Sequence, residues 1–386
     1  MKPLTSNIST VALALAICSS SALAQDSARD VSFKLEIERS IAQGTKFLES
    51  KQAENGSWSN EKYPALTALA ITSIMGDPNR KEGAEIPAPA SKGYDFLLSH
   101  RKPNGGIFNE GLGVYNTALS SVALLAANDD KFRDSILGAR RYLIAQQADY
   151  DVQGVLDNET DGGIGYGSDP TRADLSNTHF ALEALYLTKQ RYADLGDDAA
   201  QDLNWDAAIT FLSRTQNLPE TNDLDYASDD PDNVGGFVYS PGDSKAGEQQ
   251  LPDGRIALRS YGSMSYAGLL SFIYADVDKD DPRVAAVKDW ISRHYTVEEN
   301  PNMGAQGLYY YYHTMAKGLA RAEIKELTLP DGKKVDWRKD LALKVMSLQN
   351  PDGSWDNDES NRWMEDDLTL ATSYMILTLE HIYHSL

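Results

Sequence analysis

Two kinds of apolar pattern alternate along the chain. One recurs in ERSIAQGTKFLESKQ, ASKGYDFLLSHRK, FRDSILGARRYLIAQQ, NWDAAITFLSRTQ, DPRVAAVKDWISRHY and VDWRKDLALKVMSLQ. Its apolar residues fall at i, i+3, i+4 and i+7 with charges between them. That spacing predicts helices with one buried stripe and one wet face. The other pattern recurs in YPALTALAITSI, VYNTALSSVALLAA, LSNTHFALEALYL, YGSMSYAGLLSFIYA, YYYHTMAKGLA and DLTLATSYMILTLEHI. These stretches are apolar nearly all round and rich in Ala, Ser and Thr, as suits helices that are covered on every side and packed closely.

Between the members of each pair lies a glycine turn, in most copies followed by an aromatic residue. The turns are Gly56-Ser57-Trp58, Gly105-Gly106-Ile107-Phe108, Gly162-Gly163-Ile164-Gly165-Tyr166, Gly235-Gly236-Phe237, a looser copy at Gly304, and Gly353-Ser354-Trp355. The period is irregular, from about 50 to about 70 residues. Acidic, Gly-rich insertions therefore sit between elements. Six helical hairpins of this kind predict an all-α double ring, because each wholly apolar helix is covered only by its neighbours.

The first and last copies are the fullest: QAENGSW at Gln52 to Trp58 and QNPDGSW at Gln349 to Trp355. This QxxxGSW pattern resembles the QW motif of the terpenoid cyclase and protein prenyltransferase superfamily, the prenyltransferase and squalene oxidase repeat. The likeness runs over about residues 35–385. It implies an α6/α6 toroid with a central cavity, and an isoprenoid or other apolar molecule as ligand or substrate.

The ends and the composition narrow this picture. Lys2, the apolar run Val11 to Cys18 and the sequence Ala22-Leu23-Ala24 read as a secretory signal with its cleavage site. The expectation is thus a signal peptide over residues 1–24, a single toroid domain over 25–386, and a periplasmic or secreted protein. Cys18 is the only cysteine, so cysteine chemistry and thiolate metal sites are excluded from the domain. A net charge of −21, from 57 acidic and 36 basic residues, argues against nucleic acid and anionic membranes as partners. No later segment is apolar enough to span a bilayer.

The superfamily's catalytic motifs are incomplete. Its cyclases use the middle acid of DxDDTA, and the matching stretch here is Asp174-Leu175-Ser176-Asn177-Thr178. Ser176 and Asn177 stand where two acids belong. The other acidic helix start is Glu365-Asp366-Asp367, which reads either as a displaced acid site or as helix capping. Tyr312-His313-Thr314 resembles the segment that carries the prenyltransferase zinc histidine. Tyr261 and Ser263 occupy the places of its Asp and Cys partners, and one imidazole does not hold zinc by itself. Ala246-Gly247-Glu248-Gln249 shares letters with a thioester motif but lacks the thiol. Asp157, Glu159 and Asp161 follow the spacing of a calcium loop, with Ser168 in place of the closing Glu. A second acidic cluster runs from Asp223 to Asp232. Solvated loops explain both. No metal or other cofactor is expected.

The cyclase reading makes Asp366 or Asp367 the acid and His313 a relay. It lines the cavity with Tyr115, Asn116, Asp174, Asn177, His179, Tyr261, Ser263, Tyr266, Tyr309 and Tyr310. A second reading is a binding or scaffold protein that keeps the ring without the chemistry. A third is a carbohydrate-active (α/α)6 enzyme, which requires two carboxylates facing each other.

Overall fold

Helix starts are well specified. Pro64 and Pro282 open α2 (Pro64–Met75) and α9 (Pro282–Arg293), where a missing backbone N–H costs nothing. Asp174, Asn204, Asp336 and Asp367 accept backbone N–H groups at the starts of α6 (Leu175–Arg191), α7 (Trp205–Thr215), α11 (Trp337–Ser347) and α12 (Leu368–Ser385). The remaining helices are α1 (Ser9–Lys51), α3 (Ala88–Ser99), α4 (Gly113–Ala126), α5 (Arg133–Ile144), α8 (Gly262–Tyr274) and α10 (Leu308–Arg321). The computed structural model describes residues 9–167, 172–192, 195, 201–251 and 254–386, with 9–29 as backbone only.

The even-numbered helices form the inner ring. α2 packs on α4, α4 on α6, α6 on α8, α8 on α10, α10 on α12, and α12 on α2. The odd-numbered helices clothe this ring, with α1 lying against α12 and α2 and so bridging the two chain ends. Two short hairpins, Glu248–Gln250 with Ile256–Leu258 and Leu327–Thr328 with Lys334–Val335, decorate the loops. The fold is an α6/α6 toroid. Among the described residues no helix is long and apolar enough to cross a membrane.

The glycine turns tie the outer ring together. Gly353 has φ +92°, and a Cβ there would lie 2.4 Å from the Gln43 carbonyl oxygen of α1. The turn therefore rests directly on backbone. Gly56, Gly105, Gly162 and Gly235 sit in the same way on carbonyls of α3, α5, α7 and α9, each the outer helix of the next repeat. The Gln of the pattern reinforces the contact. Gln349 Nε2 donates to the Gly353 and Ser40 carbonyls at 3.1 and 3.0 Å, and Gln52 Nε2 to those of Gly56 and Pro89 at 3.0 and 2.8 Å. Gln147 and Gln216 repeat the pair of bonds.

The turn is also tied inward. The backbone N–H groups of Trp58, Ile107, Ile164, Phe237 and Trp355 donate to Thr67, Thr117, Thr178, Ser265 and Thr372 on the inner helices, at 2.9–3.1 Å. These bonds explain hydroxyls in helices with no wet face: each satisfies a buried donor. The Trp58 and Trp355 indoles donate back to the Leu48 and Val345 carbonyls of the preceding outer helix.

The fifth turn departs from the rule. Gly304 has φ +60° and nothing within 4 Å of a Cβ. Tyrosines of α10 make different ties nearby. Tyr311 and Tyr312 donate to the Thr296 and Val297 carbonyls at 2.8 and 2.6 Å, and Tyr309 to the Asp356 carbonyl at 2.7 Å.

This contrast is testable. Gly304→Ala carries only left-handed backbone strain, ~1–2 kcal/mol. Gly353→Ala adds overlap with backbone and should cost a further ~1–3 kcal/mol. Equal losses in urea denaturation would contradict the seated-turn geometry.

Candidate functional site

The inner helices start at one rim and enclose a cavity of about 250 Å³ there. All six contribute to the wall: Leu66 from α2, Tyr115 from α4, Asn177 and Phe180 from α6, Ser263 and Met264 from α8, Tyr310 from α10, and Leu370 and Tyr374 from α12. Loop residues Tyr166, Tyr239 and the segment Trp363-Met364-Glu365 complete it. The aromatic rings interlock across helices. Tyr115 meets Phe180 edge-on at 5.3 Å, and Tyr310 lies 6.0 Å from Phe180 and 5.9 Å from Tyr374.

Glu365 is the one carboxyl among the described residues that line this wall. It is buried, accepts the Tyr310 backbone N–H at 2.8 Å, and accepts Asn357 Nδ2 at 2.8 Å. It thus sits at the positive start of α10. Burial outweighs these donors and pushes its pKa from 4.5 up to about 7. The chain reaches it through strained backbone, since Trp363 and Met364 both hold left-handed φ values, +58° and +65°.

Asp174 lies behind the opposite wall. It accepts the Asn177 backbone N–H and side-chain amide, both at 2.8 Å. Burial raises its pKa to about 6, against donors that include Asn177 and Tyr239. The Tyr239 hydroxyl lies 3.3 Å from that of Tyr166, and Lys245 Nζ stands 4.2 Å from the centre of the Tyr239 ring.

Of the residues read from the sequence, Tyr115, Asn177, Tyr261, Ser263 and Tyr310 line the cavity. Asp174 stands next to it as the cap of α6. Others lie elsewhere. Asn116 is a structural tie that accepts the Ala65 N–H at 2.9 Å and donates to the Gly111 and Leu112 carbonyls. Tyr309 is buried outside the cavity wall, with its hydroxyl on the Asp356 carbonyl. Tyr266 packs against Tyr311 at 5.7 Å, away from the cavity. His179 is fully buried deeper in the ring, stacked on Tyr274, with neither ring nitrogen hydrogen-bonded among the described residues.

The expected acids also need correction. Asp366 is exposed and faces a separate surface depression. Asp367 caps α12, accepting the Thr369 and Leu370 N–H groups at 2.8 and 3.0 Å. Neither lines the cavity: the carboxylate of Asp367 is turned onto the backbone at the start of α12, and that of Asp366 points to solvent. The acid that does face the cavity is their neighbour, Glu365. His313 lies behind the wall, stacked on Tyr374 at 5.4 Å, and is held neutral by burial and by Lys317. Lys317 itself pairs with Glu183, both buried, between α10 and α6.

The acidic loops have internal partners. Asp161 accepts the Tyr150 and Asn158 N–H groups, and Asp223 pairs with Arg214 at 2.9 Å. Ser168 lies outside the described residues. No group of three or more His, Cys, Asp or Glu is arranged to hold a metal among the described residues.

No protein-family model matches the chain, and no curated protein matches it. Solved structures do share the ring. The type II terpene cyclase MstE from Scytonema, in complex with geranylgeranyl dihydroxybenzoate as substrate, is 13% identical with a TM-score of 0.55, over 92% of this chain and 99% of that one. The α-1,6-mannanase GH76A of Salegentibacter sp. HEL1_6, as an inactive variant with α-1,6-mannotriose, is 12% identical with a TM-score of 0.57, over 91% and 100%. The shared property is the fold. At these identities it brings together a cyclase and a glycoside hydrolase and does not choose between them.

The carboxyl shifts give a pH prediction. Glu365 keeps its proton in the folded chain where the unfolded chain has lost it. Its contribution is therefore most favourable below pH 4.5 and declines as pH rises to about 7. Across that window Glu365→Gln should gain on the wild type by up to about 1.4 kcal/mol per pH unit. Urea midpoints of the two proteins that stay parallel over this range would contradict the burial of Glu365.

Proposed function

We propose that the rim cavity takes an apolar, isoprenoid-like ligand, and that Glu365 in its neutral form is the acid presented to it, in a periplasmic or secreted protein. One observation carries this reading: a wall of aromatic and aliphatic side chains in which Glu365 is the one buried carboxyl among the described residues. Such a wall favours hydrocarbon over sugar, and aromatic faces stabilise positive charge on a ligand. A carboxylic acid with a pKa near neutrality is suited to donate a proton. Tyr310 would orient the acid through its backbone N–H, and Tyr115, Phe180 and Tyr374 would shape the chamber. Asp366, Asp367 and His313 have no direct part in this version. The cyclase MstE, solved with a prenylated substrate, gives the reading a precedent within the fold.

The glycoside reading draws on the mannanase and on two raised carboxyls, Glu365 and Asp174. It requires both to reach the substrate, about 5–10 Å apart. Asp174, however, is turned onto the start of α6 and is screened from the cavity by Asn177.

The test is displacement of Nile red by farnesol and geranylgeraniol, with α-1,6-mannotriose as the comparison. The prenyl alcohols should displace the dye saturably, mannotriose should not, and Ser263→Phe, which fills the chamber, should abolish dye binding. Displacement by mannotriose alone, or none by any ligand, would overturn the proposal. A prenyl ligand that is bound but recovered unchanged by mass spectrometry would support the non-catalytic binding role. Conversion that is lost in Glu365→Gln would support the acid.

A further inference from the structure

The opposite rim, where the inner helices end, carries a second polar feature that shares no residue with the first cavity. A depression of about 570 Å³ opens there between the ends of α2, α4, α10 and α12. Its apolar walls come from Met75, Ala126, Ala320 and Leu377. At its buried end is Glu380 of α12, 5% exposed. Among the described residues Glu380 Oε1 has no hydrogen-bond partner. A carboxyl removed from water without a donor is costly, so this group calls for a partner. The site is also shaped around it: a Cβ on Gly76 would lie 2.2 Å from Glu380 Oε2.

The surroundings select the sign of that partner. Four helices direct their C-terminal carbonyls to this rim, which makes it a negative pole. Asp77 adds to the same field and, after burial, is the second cause that holds the Glu380 pKa well above its usual value. The cationic groups are placed differently. Arg321 and His384 line the exposed part of the depression, and His381 is held neutral by burial, Lys317 and Arg321.

We infer that this depression is a binding site for a primary alkylammonium group, with Glu380 as counter-ion and Met75, Ala126, Ala320 and Leu377 as the seat for its hydrocarbon part. A protonated carboxyl there is exchanged for an ion pair when the ligand enters. Each binding event therefore releases a proton from Glu380 to solvent. Affinity rises as pH rises toward the pKa of that carboxyl in the folded chain.

The experiment is calorimetric titration of the full chain with n-butylammonium chloride, with n-butanol and sodium chloride as controls. Two buffers of different ionisation enthalpy count the protons released. Butylammonium should bind saturably, release protons and bind more tightly at higher pH, and butanol should be weaker by about tenfold or more. Glu380→Gln should lose both the affinity and the pH dependence. It should fold at least as well as the wild type, because it removes a buried acid. Ala320→Leu, which narrows the seat and leaves the acid in place, should also weaken binding. Equal binding of butanol, unchanged binding by Glu380→Gln, or no saturation distinct from sodium chloride would overturn the inference. Nile red held in the first cavity should be unaffected by butylammonium, which separates this site from the one proposed above.

Discussion

The ring depends on a backbone-to-backbone contact: a glycine turn resting on a carbonyl of the next outer helix. No side chain other than hydrogen fits between them, and the φ near +90° suits only glycine. The Gln bridge adds two hydrogen bonds to each complete copy, worth about 1 kcal/mol apiece. A single copy is modest. Its importance lies in its repetition around a circle, where Gly353 and Gln349 carry the last repeat onto α1 and so onto the first. An open solenoid would leave the apolar flank of its end helices in water. Here the two ends cover each other.

Closure sets the chemistry available at each rim. All inner helices run the same way, so their N–H ends gather at one face and their carbonyl ends at the other. The positive face is matched by Asp174, Glu365 and Asp367, each accepting backbone N–H groups. The one of these that also lines an apolar chamber, Glu365, has its pKa raised nearly to neutrality. The negative face holds Glu380, whose Oε1 finds no donor among the described residues. Between the two, His179, His313 and the Lys317–Glu183 pair fill the axis with groups kept neutral or paired.

Much of the architecture was legible because burial leaves a periodic trace. Helices with one wet face and helices with none alternate in the text as they do in space, and each glycine turn marks a boundary. The cavity wall was half legible. Tyr115, Asn177, Tyr261, Ser263 and Tyr310 follow from the starts of the inner helices. The run Tyr309–Tyr312 was ambiguous, because four successive helical positions point in four directions. Two of its hydroxyls bind the segment after α9 and a third binds the Asp356 carbonyl, and only Tyr310 turns to the axis. The carboxyl that faces the cavity lies one or two residues before those read from the sequence. Glu365, Asp366 and Asp367 are neighbours in sequence, yet one is buried, one is exposed and one is a cap. That division is made by the left-handed backbone at Trp363 and Met364, and two non-glycine residues with positive φ give no signal in composition or periodicity. Glu380 was hidden for a similar reason: within an apolar helix a glutamate reads as an outward charge until the ring is closed around it.

The claim of a closed ring is tested most directly by amide hydrogen exchange on the full chain carrying Gln349→Ala, which removes the side-chain bridge from the last turn to Ser40. In a circle every inner helix depends on closure. Protection should therefore fall together in α2, α4, α6, α8, α10 and α12. Loss of protection confined to α11, α12 and α1, with α4, α6 and α8 unchanged, would contradict the account.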